Sequence, residues 1–489
     1  MPENLFPGVS FRSERDGLYF SSLQNNESPH IIEIFSGSVW KRVILPACHE
    51  ESFVQDAVVA IAALSVSKLE LTLQKTEIDH STADSKHYEF ALRRYGQAIS
   101  TMRSALATES NPRKALIGCL LVSCFEHVQG QRQQALVHAA SGFKMMKSWM
   151  VNNSYSFVKI GARCQNAIDD DLIDTISLLY LQALLAFPGI RSLISFQAEM
   201  DACQNIASTM PSRFSGVIEA SRYWVALMSP FVQFIEMATA SANCMNLPSR
   251  DDFWKINGYT ERLGGELADS LQTPPLSVPI SEDIQTYYAM YSTWMKKWQN
   301  ALRELRLNPG HESEGDKVRH QKLQLLAEVA QIFLQYLVTT DEWAFDQLED
   351  QFRAILAHTK ALLRKPLPFV AVKEEYKVAI EVGFLPGLYM VCRFCRNPEI
   401  RRDAIALCSK THGFNDWDVP LVTKIATWLI EMEGEGDCDI ENCRTPQRVR
   451  VRVAKIFVNP VEKSAYLLYT KRVKGDPEEM TIGEATIKL

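Results

Sequence analysis

Apolar residues recur at the spacing of an α-helix along almost all of this 489-residue chain. In Phe53–Leu64 they fall at i, i+3, i+4 and i+7, which places them on one face of a helix. The pattern continues in a helix that is predicted to start near Asp84. A helix with one apolar stripe is stable only when that stripe is buried against another element. The sequence therefore predicts an all-α fold, a single large array of packed helical hairpins.

The segment Ala115–Met146 illustrates the repeating element of this array. It predicts two helices that meet at a turn in Gln129-Gly130. Small residues recur on the second helix, where the two backbones can approach closely, at Ala135, Ala139 and Gly142.

Start and stop signals locate further helices. Asn111-Pro112 and Asn397-Pro398 each combine an N-cap residue with a proline at the first helical position. Apolar periodicity adds further helices at about 215–243, 251–271, 281–306, 317–340, 345–363, 375–396, 398–409 and 418–432.

The C-terminal part departs from the helical pattern. Arginine and valine alternate strictly over residues 448–453, as in a strand with one buried face. Ser464–Arg472 is a second strand-like segment, and Asn459-Pro460 lies between the two as a turn. An isolated hairpin is only marginally stable. We therefore expect a small β-hairpin that packs its valine face on the helices.

From the positions of these elements we expect the chain to have four parts. They are a flexible N-terminal segment at 1–16, a helical domain at 17–443, a C-terminal β-hairpin at 444–475 and a tail at 476–489.

The composition is that of a soluble globular protein, with 46% hydrophobic and 22% charged residues. A net charge of −6 argues against binding nucleic acid by bulk electrostatics. The N-terminus shows no basic stretch followed by an apolar one, and no apolar run is long enough to span a bilayer. We expect a soluble intracellular protein without membrane association.

The eleven cysteines are scattered along the chain. Cys119, Cys124 and Cys203 have apolar or helical neighbours, which is typical of reduced, buried thiols. Cys392 and Cys395 form a C-x2-C pair, but they lie in an apolar helical segment without a second pair at zinc-site spacing. Buried packing is the preferred interpretation, and we predict neither a metal ion nor a cofactor.

Acidic side chains crowd residues 431–441. The stretch lacks the D-x-[DN]-x-[DN]-G pattern of a calcium loop. We expect a solvated loop between the last helix and the hairpin.

Two groups of residues are candidates for contacts with an effector or a partner. One is an aromatic stripe at helical spacing, formed by Tyr287, Tyr288, Tyr291, Trp294 and Trp298. Its Tyr291, Trp294 and Trp298 are candidate ligand contacts, although packing in the core is the favoured interpretation. The other is the arginine face of the first strand, at Arg448, Arg450 and Arg452. These side chains suit a phosphate or an acidic partner, or they protect a strand edge by charge, which is the favoured interpretation.

The sequence contains none of the common catalytic motifs. It lacks G-x-S-x-G, the P-loop pattern, a G-x-G-x-x-G after a strand, and H-E-x-x-H. We therefore predict no catalytic residues and a protein that is not an enzyme.

Four sequence patterns follow one another in a fixed order: Phe35–Leu64, Phe90–Ile99, Phe125–Gly142 and Gly383–Trp417. In this order and spacing they resemble the regulatory domain of fungal zinc-binuclear-cluster (Zn2Cys6) transcription factors. The resemblance extends from about Gly17 to Arg472 and is weakest over about 190–345. It implies a nuclear protein that controls genes, for example of a metabolic or secondary-metabolite pathway, through protein contacts with or without effector sensing.

One part of that family's pattern is missing. Its members usually begin with a six-cysteine module, C-x2-C-x6-C and a similar second half, that binds two zinc ions and reads DNA. Here the first cysteine is Cys48, within a predicted helix. We therefore expect DNA contact only through a module absent from this chain. The expected partners are transcription machinery or related regulators, with a homodimer as an option. A stand-alone adaptor protein is the alternative function, and a cryptic enzyme is a third.

Overall fold

The computed structural model describes most of the chain and confirms the all-α fold class. It describes residues 11–24, 39–74, 83–108, 111–152, 168–186, 196–242, 282–305, 314–338, 342–364, 384–410, 419–434, 451–459, 462–472 and 480–488.

The helices of the first part of the chain are α1 (Glu14–Gln24), α2 (Leu45–Glu50), α3 (Ser52–Gln74), α4 (Ala83–Thr108), α5 (Pro112–Gln129), α6 (Arg132–Asn152) and α7 (Asp170–Ala186). A π-helical turn, Trp40–Ile44, leads into α2. The later helices are α8 (Phe196–Ser208), α9 (Val217–Ala242), α10 (Glu282–Arg303), α11 (Glu314–Val338), α12 (Glu349–Arg364), α13 (Phe384–Phe394), α14 (Pro398–Cys408) and α15 (Val419–Glu433). A 3₁₀ helix, Glu342–Leu348, precedes α12.

The chain divides into two compact units. The first comprises Met1–Leu184 with Pro368–Glu381, and the second comprises Leu185–Leu367 with Val382–Leu489. The domain boundaries derived from the sequence remain a prediction.

The first unit is built on α3. This helix packs against α1, α4 and α5, while α5 pairs with α6. Aromatic side chains from three of these helices, Phe20, Phe53 and Phe125, are buried in its core. Their burial removes large apolar surfaces from water, which is the main favourable contribution to folding.

In the second unit, α9 packs against α8, α10 and α11. Helix α11 also contacts α12 and α13, and α13, α14 and α15 pack on one another. The core of this group includes Leu388, Val391 and Leu429.

The strands are β1 (Val451–Asn459), β2 (Ser464–Arg472) and β3 (Met480–Lys488), and they form an antiparallel sheet in the order β1-β2-β3. The predicted hairpin is present as β1 and β2, and its Val451 and Val453 side chains are buried. The segment expected to be a tail supplies β3, which extends the hairpin to three strands.

A glycine permits the pairing of β2 with β3. Gly483 lies opposite Tyr469, and a Cβ at Gly483 would come within 2.4 Å of the tyrosine ring. The ring of Tyr469 in turn packs edge-on against Trp428 of α15, with centroids 5.1 Å apart. The glycine thus leaves room for a tyrosine that connects the sheet to a helix.

Most of the predicted helices in the second half are present at nearly the predicted positions. The helix predicted at 251–271 lies outside the described residues. Asn111 and Asn397 cap their helices as predicted, because each side chain accepts hydrogen bonds from the two backbone N–H groups at the start of the helix.

Candidate functional site

The turn between α5 and α6 depends on Gly130. Its φ is 95°, a left-handed conformation that glycine adopts without strain. The Gly130 N–H donates to the His127 carbonyl at 2.9 Å, and the Gln131 N–H donates to the Glu126 carbonyl at 2.8 Å. This pair of hydrogen bonds is the Schellman motif that ends many helices. The predicted turn at Gln129-Gly130 is confirmed.

Small residues bring α6 close to α5. Ala135 and Ala139 are buried. A Cβ added to Gly142 would lie 3.2 Å from the Cβ of Cys119, tighter than most real contacts of this kind. The close approach predicted from the small residues is therefore present.

Polar side chains connect three helices next to this turn. His138 Nε2 of α6 lies 3.4 Å from Glu126 Oε1 of α5, and Tyr95 of α4 donates its hydroxyl to the same carboxylate. Burial raises the pKa of Glu126, while His138 and Tyr95 act in the opposite direction. Burial, followed by the neighbouring Glu126, also raises the pKa of Tyr95. These contacts connect α4, α5 and α6 through polar side chains.

The first unit contains a group of charged residues that the sequence analysis missed. We call it the acidic cluster: Asp16 of α1, Asp56 of α3, Arg94 of α4 and Arg12. Arg94 donates one hydrogen bond to Asp16 and one, at 3.3 Å, to Asp56. Arg12 Nη2 lies 3.1 Å from the other oxygen of Asp56. One guanidinium thus joins three helices.

The acidic cluster is partly hydrated. Both carboxylates are buried, but the Arg94 side chain is 11% exposed and that of Arg12 is 48% exposed. Burial raises the pKa of Asp56; Arg12 and Arg94 oppose this shift, and the neighbouring Asp16 adds to it. The loss of hydration thus outweighs the attraction of the arginines.

The second unit contains a drier group, which we call the arginine cluster: Arg396, Arg401 of α14 and Glu433 of α15. Arg401 donates to Glu433 Oε2, and Arg396 Nη2 lies 3.3 Å from Oε1. The side chains are 3% exposed or less. Burial alone would raise the pKa of Glu433, but the two arginines and a backbone N–H hold it below its usual value.

The arginine cluster also holds the sheet. The Val451 N–H of β1 donates to Glu433 Oε1 at 2.9 Å. Arg393 of α13 donates to the Val453 carbonyl at 2.6 Å. At the other side, Lys471 of β2 donates to the Met432 carbonyl at 3.1 Å. The sheet is therefore joined to α13 and α15 through hydrogen bonds that are largely buried.

These contacts correct one expectation. The acidic stretch at 431–441 was expected to be a solvated loop, which is wrong for Glu433. That carboxylate is buried because two arginines and a backbone N–H compensate for its lost hydration. Residues 435–441 lie outside the described part of the chain.

The aromatic stripe is placed in the second unit, on α10. Tyr291 and Trp298 are fully buried, and Trp294 is half-buried beside Tyr291. The Trp298 indole N–H donates to the Ala220 carbonyl at 3.0 Å, and the Tyr291 ring packs against Phe234. Core packing, the favoured interpretation, describes Tyr291 and Trp298. A role of Trp294 in ligand contact remains a prediction.

The arginine face of the first strand is only partly placed. Arg452 lies in β1, where its backbone pairs with Thr470 of β2. Arg448 and Arg450 lie outside the described residues, so their role as partner contacts remains a prediction. Among the described strands, β1 is an edge strand, where charged side chains protect against unwanted pairing.

The described cysteines are all free thiols. Burial raises the pKa of Cys48 and of Cys203 to about 12 and that of Cys395 to about 11. A hydrogen bond with Cys408, followed by burial, raises the pKa of Cys392. A protonated thiol is a poor metal ligand and a poor nucleophile. Within the described ranges, no three His, Cys, Asp or Glu side chains form a group suited to a metal ion.

A surface groove of about 570 Å³ lies between α12 and α14 of the second unit. It is lined by Arg353, Leu356, Ala357, Lys360, Glu399, Ile400, Arg402 and Asp403. Lys360 pairs with Asp403 at 2.6 Å, and Arg353 pairs with Glu349 at 2.7 Å. The lining therefore contains both positive and negative side chains, and Arg353 and Lys360 are each paired with a carboxylate.

A comparison of the sequence with protein families gave one match, which covers most of the first unit and the start of the second. Residues 19–208 match the model of the fungal specific transcription factor domain. This segment, about two fifths of the chain, is therefore similar to that domain. The matched segment includes most of α1, all of α2–α8, the α5–α6 turn and two members of the acidic cluster, Asp56 and Arg94. It indicates a regulatory role in transcription and points away from catalysis.

Other comparisons gave no match. Neither a curated protein nor a solved structure matches the chain. The fourth pattern of the resemblance, Gly383–Trp417, lies outside the fungal specific transcription factor domain as matched, and its assignment stays a prediction. No helix among the described residues is long and apolar enough to cross a membrane.

Proposed function

We propose that this protein regulates transcription in the nucleus through contacts with other proteins. The observation that carries the proposal is the match of residues 19–208 to the fungal specific transcription factor domain. The packed helices of the first unit supply a stable surface on which a partner can bind. The six-cysteine module that reads DNA in relatives of this kind does not occur in the sequence. The chain therefore acts on genes through a partner or through a separate DNA-binding module.

A tethering experiment tests this proposal. The full chain is fused to an unrelated DNA-binding module and expressed in a fungal cell with a matching reporter gene. We expect transcription of the reporter to change relative to the module alone. An unchanged reporter, with the fusion present in the nucleus, would contradict the proposal.

A matched pair of variants shows whether the folded first unit is required. Gly142→Val places a branched side chain against Cys119, where overpacking costs about 1–3 kcal/mol. Gly96→Val makes the same change on α4, where an added Cβ meets nothing within 4 Å. We expect the reporter effect to fall for Gly142→Val and to persist for Gly96→Val.

Binding to DNA is tested separately. In a mobility-shift assay at physiological salt, we expect the purified chain to show no sequence-selective binding to duplex DNA. Selective binding would overturn this part of the proposal. A chain that leaves the tethered reporter unchanged but binds another regulator would instead favour the adaptor function.

A further inference from the structure

The two outer strands of the sheet differ in how their edges are protected. The pairing of β1 with β2 is irregular between Val453 and Lys455, and the sequence of β1 includes two residues of the same charge, Arg452 and Lys455. Irregular pairing and charge are two devices that keep a strand edge from pairing with another chain. The edge of β1 has both.

The edge of β3 lacks the irregular pairing, and its two charged residues, Glu484 and Lys488, are of opposite sign. Its pairing with β2 is regular over nine consecutive residues, from Met480 to Lys488, and the strand contains no proline. No strand in the described part of the chain pairs with its other side. The strand is also open to solvent, with Ile482 53% exposed and Glu484, Thr486 and Lys488 exposed as well. Within the described part of the chain, its outer backbone groups are thus available for pairing.

The charges on β3 are self-complementary. Two copies of the strand can pair antiparallel around a two-fold axis perpendicular to the sheet. The residue at the axis then lies opposite the same residue of the other copy, and residues equally far before and after it lie opposite each other on the same face of the sheet. An axis at Thr486 places Glu484 of each copy opposite Lys488 of the other. It also pairs the two Thr486 side chains, a favourable cross-strand pair. An axis at Glu484 would instead oppose two like charges.

We propose that β3 is a docking edge for a second copy of this chain. Residues 484–488 of the two copies pair antiparallel and join the two sheets into one of six strands. Because the axis is perpendicular to the sheet, the solvent face of one copy continues into the solvent face of the other. The paired segment is short, so the dimer is weak and forms at high local concentration. The inference does not depend on the proposed role in transcription.

Charge exchange at two exposed positions tests this interface. In Glu484→Lys and in Lys488→Glu, two cross-strand pairs of opposite charge become pairs of like charge. We expect each single variant to weaken dimerisation about tenfold, as judged from the usual strength of such pairs. The double variant exchanges the charges and restores the opposite pairs, so its dimerisation should return to that of the parent chain.

The measurement is sedimentation equilibrium of the full chain over a range of concentrations, at low and at physiological salt. Thr481→Lys is the matched control, because it adds a charge to the same strand outside residues 484–488. Circular dichroism checks that all variants remain folded. A parent chain that stays monomeric at every concentration, or a double variant that fails to recover dimerisation, would overturn the proposal.

Discussion

The two charge clusters differ in their ratio of arginine to carboxylate. In the acidic cluster two arginines serve two carboxylates and Arg94 is shared between them, whereas in the arginine cluster two arginines serve one carboxylate. Their hydration differs too, since Arg12 is half exposed while every side chain of the arginine cluster is buried. The pKa of Asp56 is raised, and that of Glu433 is lowered.

The comparison shows what determines the direction of a pKa shift in a buried ion pair. Both carboxylates lose hydration, which favours the neutral form. Asp56 faces a half-exposed Arg12 and an Arg94 that it shares with a second carboxylate, Asp16, whereas Glu433 faces two buried arginines and a backbone N–H. The hydrogen-bond donors and positive charges therefore outweigh the effect of burial on the pKa of Glu433, but not on the pKa of Asp56.

The largest effect is expected from Glu433→Gln. The change leaves two buried guanidinium groups without their carboxylate, and breaking a buried ion pair costs about 3–5 kcal/mol. Urea denaturation followed by circular dichroism measures the loss in the free energy of unfolding. Glu431→Gln makes the same change two residues earlier, at an exposed position, and should be nearly neutral. Equal losses in the free energy of unfolding for the two variants would show that the ion pairs of Glu433 do not stabilise the protein.

A smaller loss is expected from Arg94→Met. The carboxylates of Asp16 and Asp56 lose a shared partner, but the site is partly hydrated and Arg12 remains beside Asp56. We expect a loss of about 1–3 kcal/mol in the free energy of unfolding, below that of a fully buried pair. The control is Arg93→Met, at an exposed neighbouring position. A loss as large as that of Glu433→Gln would show that the two clusters are equally dry.

The pH dependence gives the smallest effect and the sharpest contrast. A carboxylate with a lowered folded-state pKa contributes stability above its unfolded-state pKa and loses it as the pH falls through the folded value. The advantage of the parent chain over Glu433→Gln should therefore shrink between pH 7 and about pH 3, with the loss confined to the part below the unfolded-state pKa of about 4.3. For Asp56 the sign reverses, because a raised folded-state pKa means that stability falls as the pH rises. The advantage over Asp56→Asn should grow over the same interval. Urea denaturation at both pH values measures the two differences, and shifts of the same sign would contradict the explanation.

Local chemistry made part of this structure predictable. Asn397 caps α14 and Gly130 ends α5 because these effects involve atoms within a few residues of the chain. The burial of Val451 and Val453 followed from strict alternation, which places both on one face of a strand.

The rest depends on contacts that are distant in sequence. Arg401 and Glu433 lie 32 residues apart, and Asp16 and Arg94 lie 78 apart, so their pairing follows from the packing of the helices. Glu433 also lies in an acid-rich stretch, and such a stretch is typical of a solvated loop, so its sequence did not indicate that Glu433 is buried. Strand β3 was missed because Gly483 and Glu484 interrupt an apolar alternation that is already weak, on a strand that is mostly exposed.

The Glu433 carboxylate, which binds both arginines and strand β1, has a practical consequence for the design of shorter fragments of this protein. Because its Oε1 accepts from both the Arg396 guanidinium and the Val451 amide, a fragment that stops after α15 leaves this oxygen short of a donor. Such a fragment also removes the Tyr469 ring that packs against Trp428 of α15. A fragment intended for binding studies should therefore keep β1, β2 and β3 together with α13 and α15, because the hydrogen bonds between them satisfy buried polar groups on both sides.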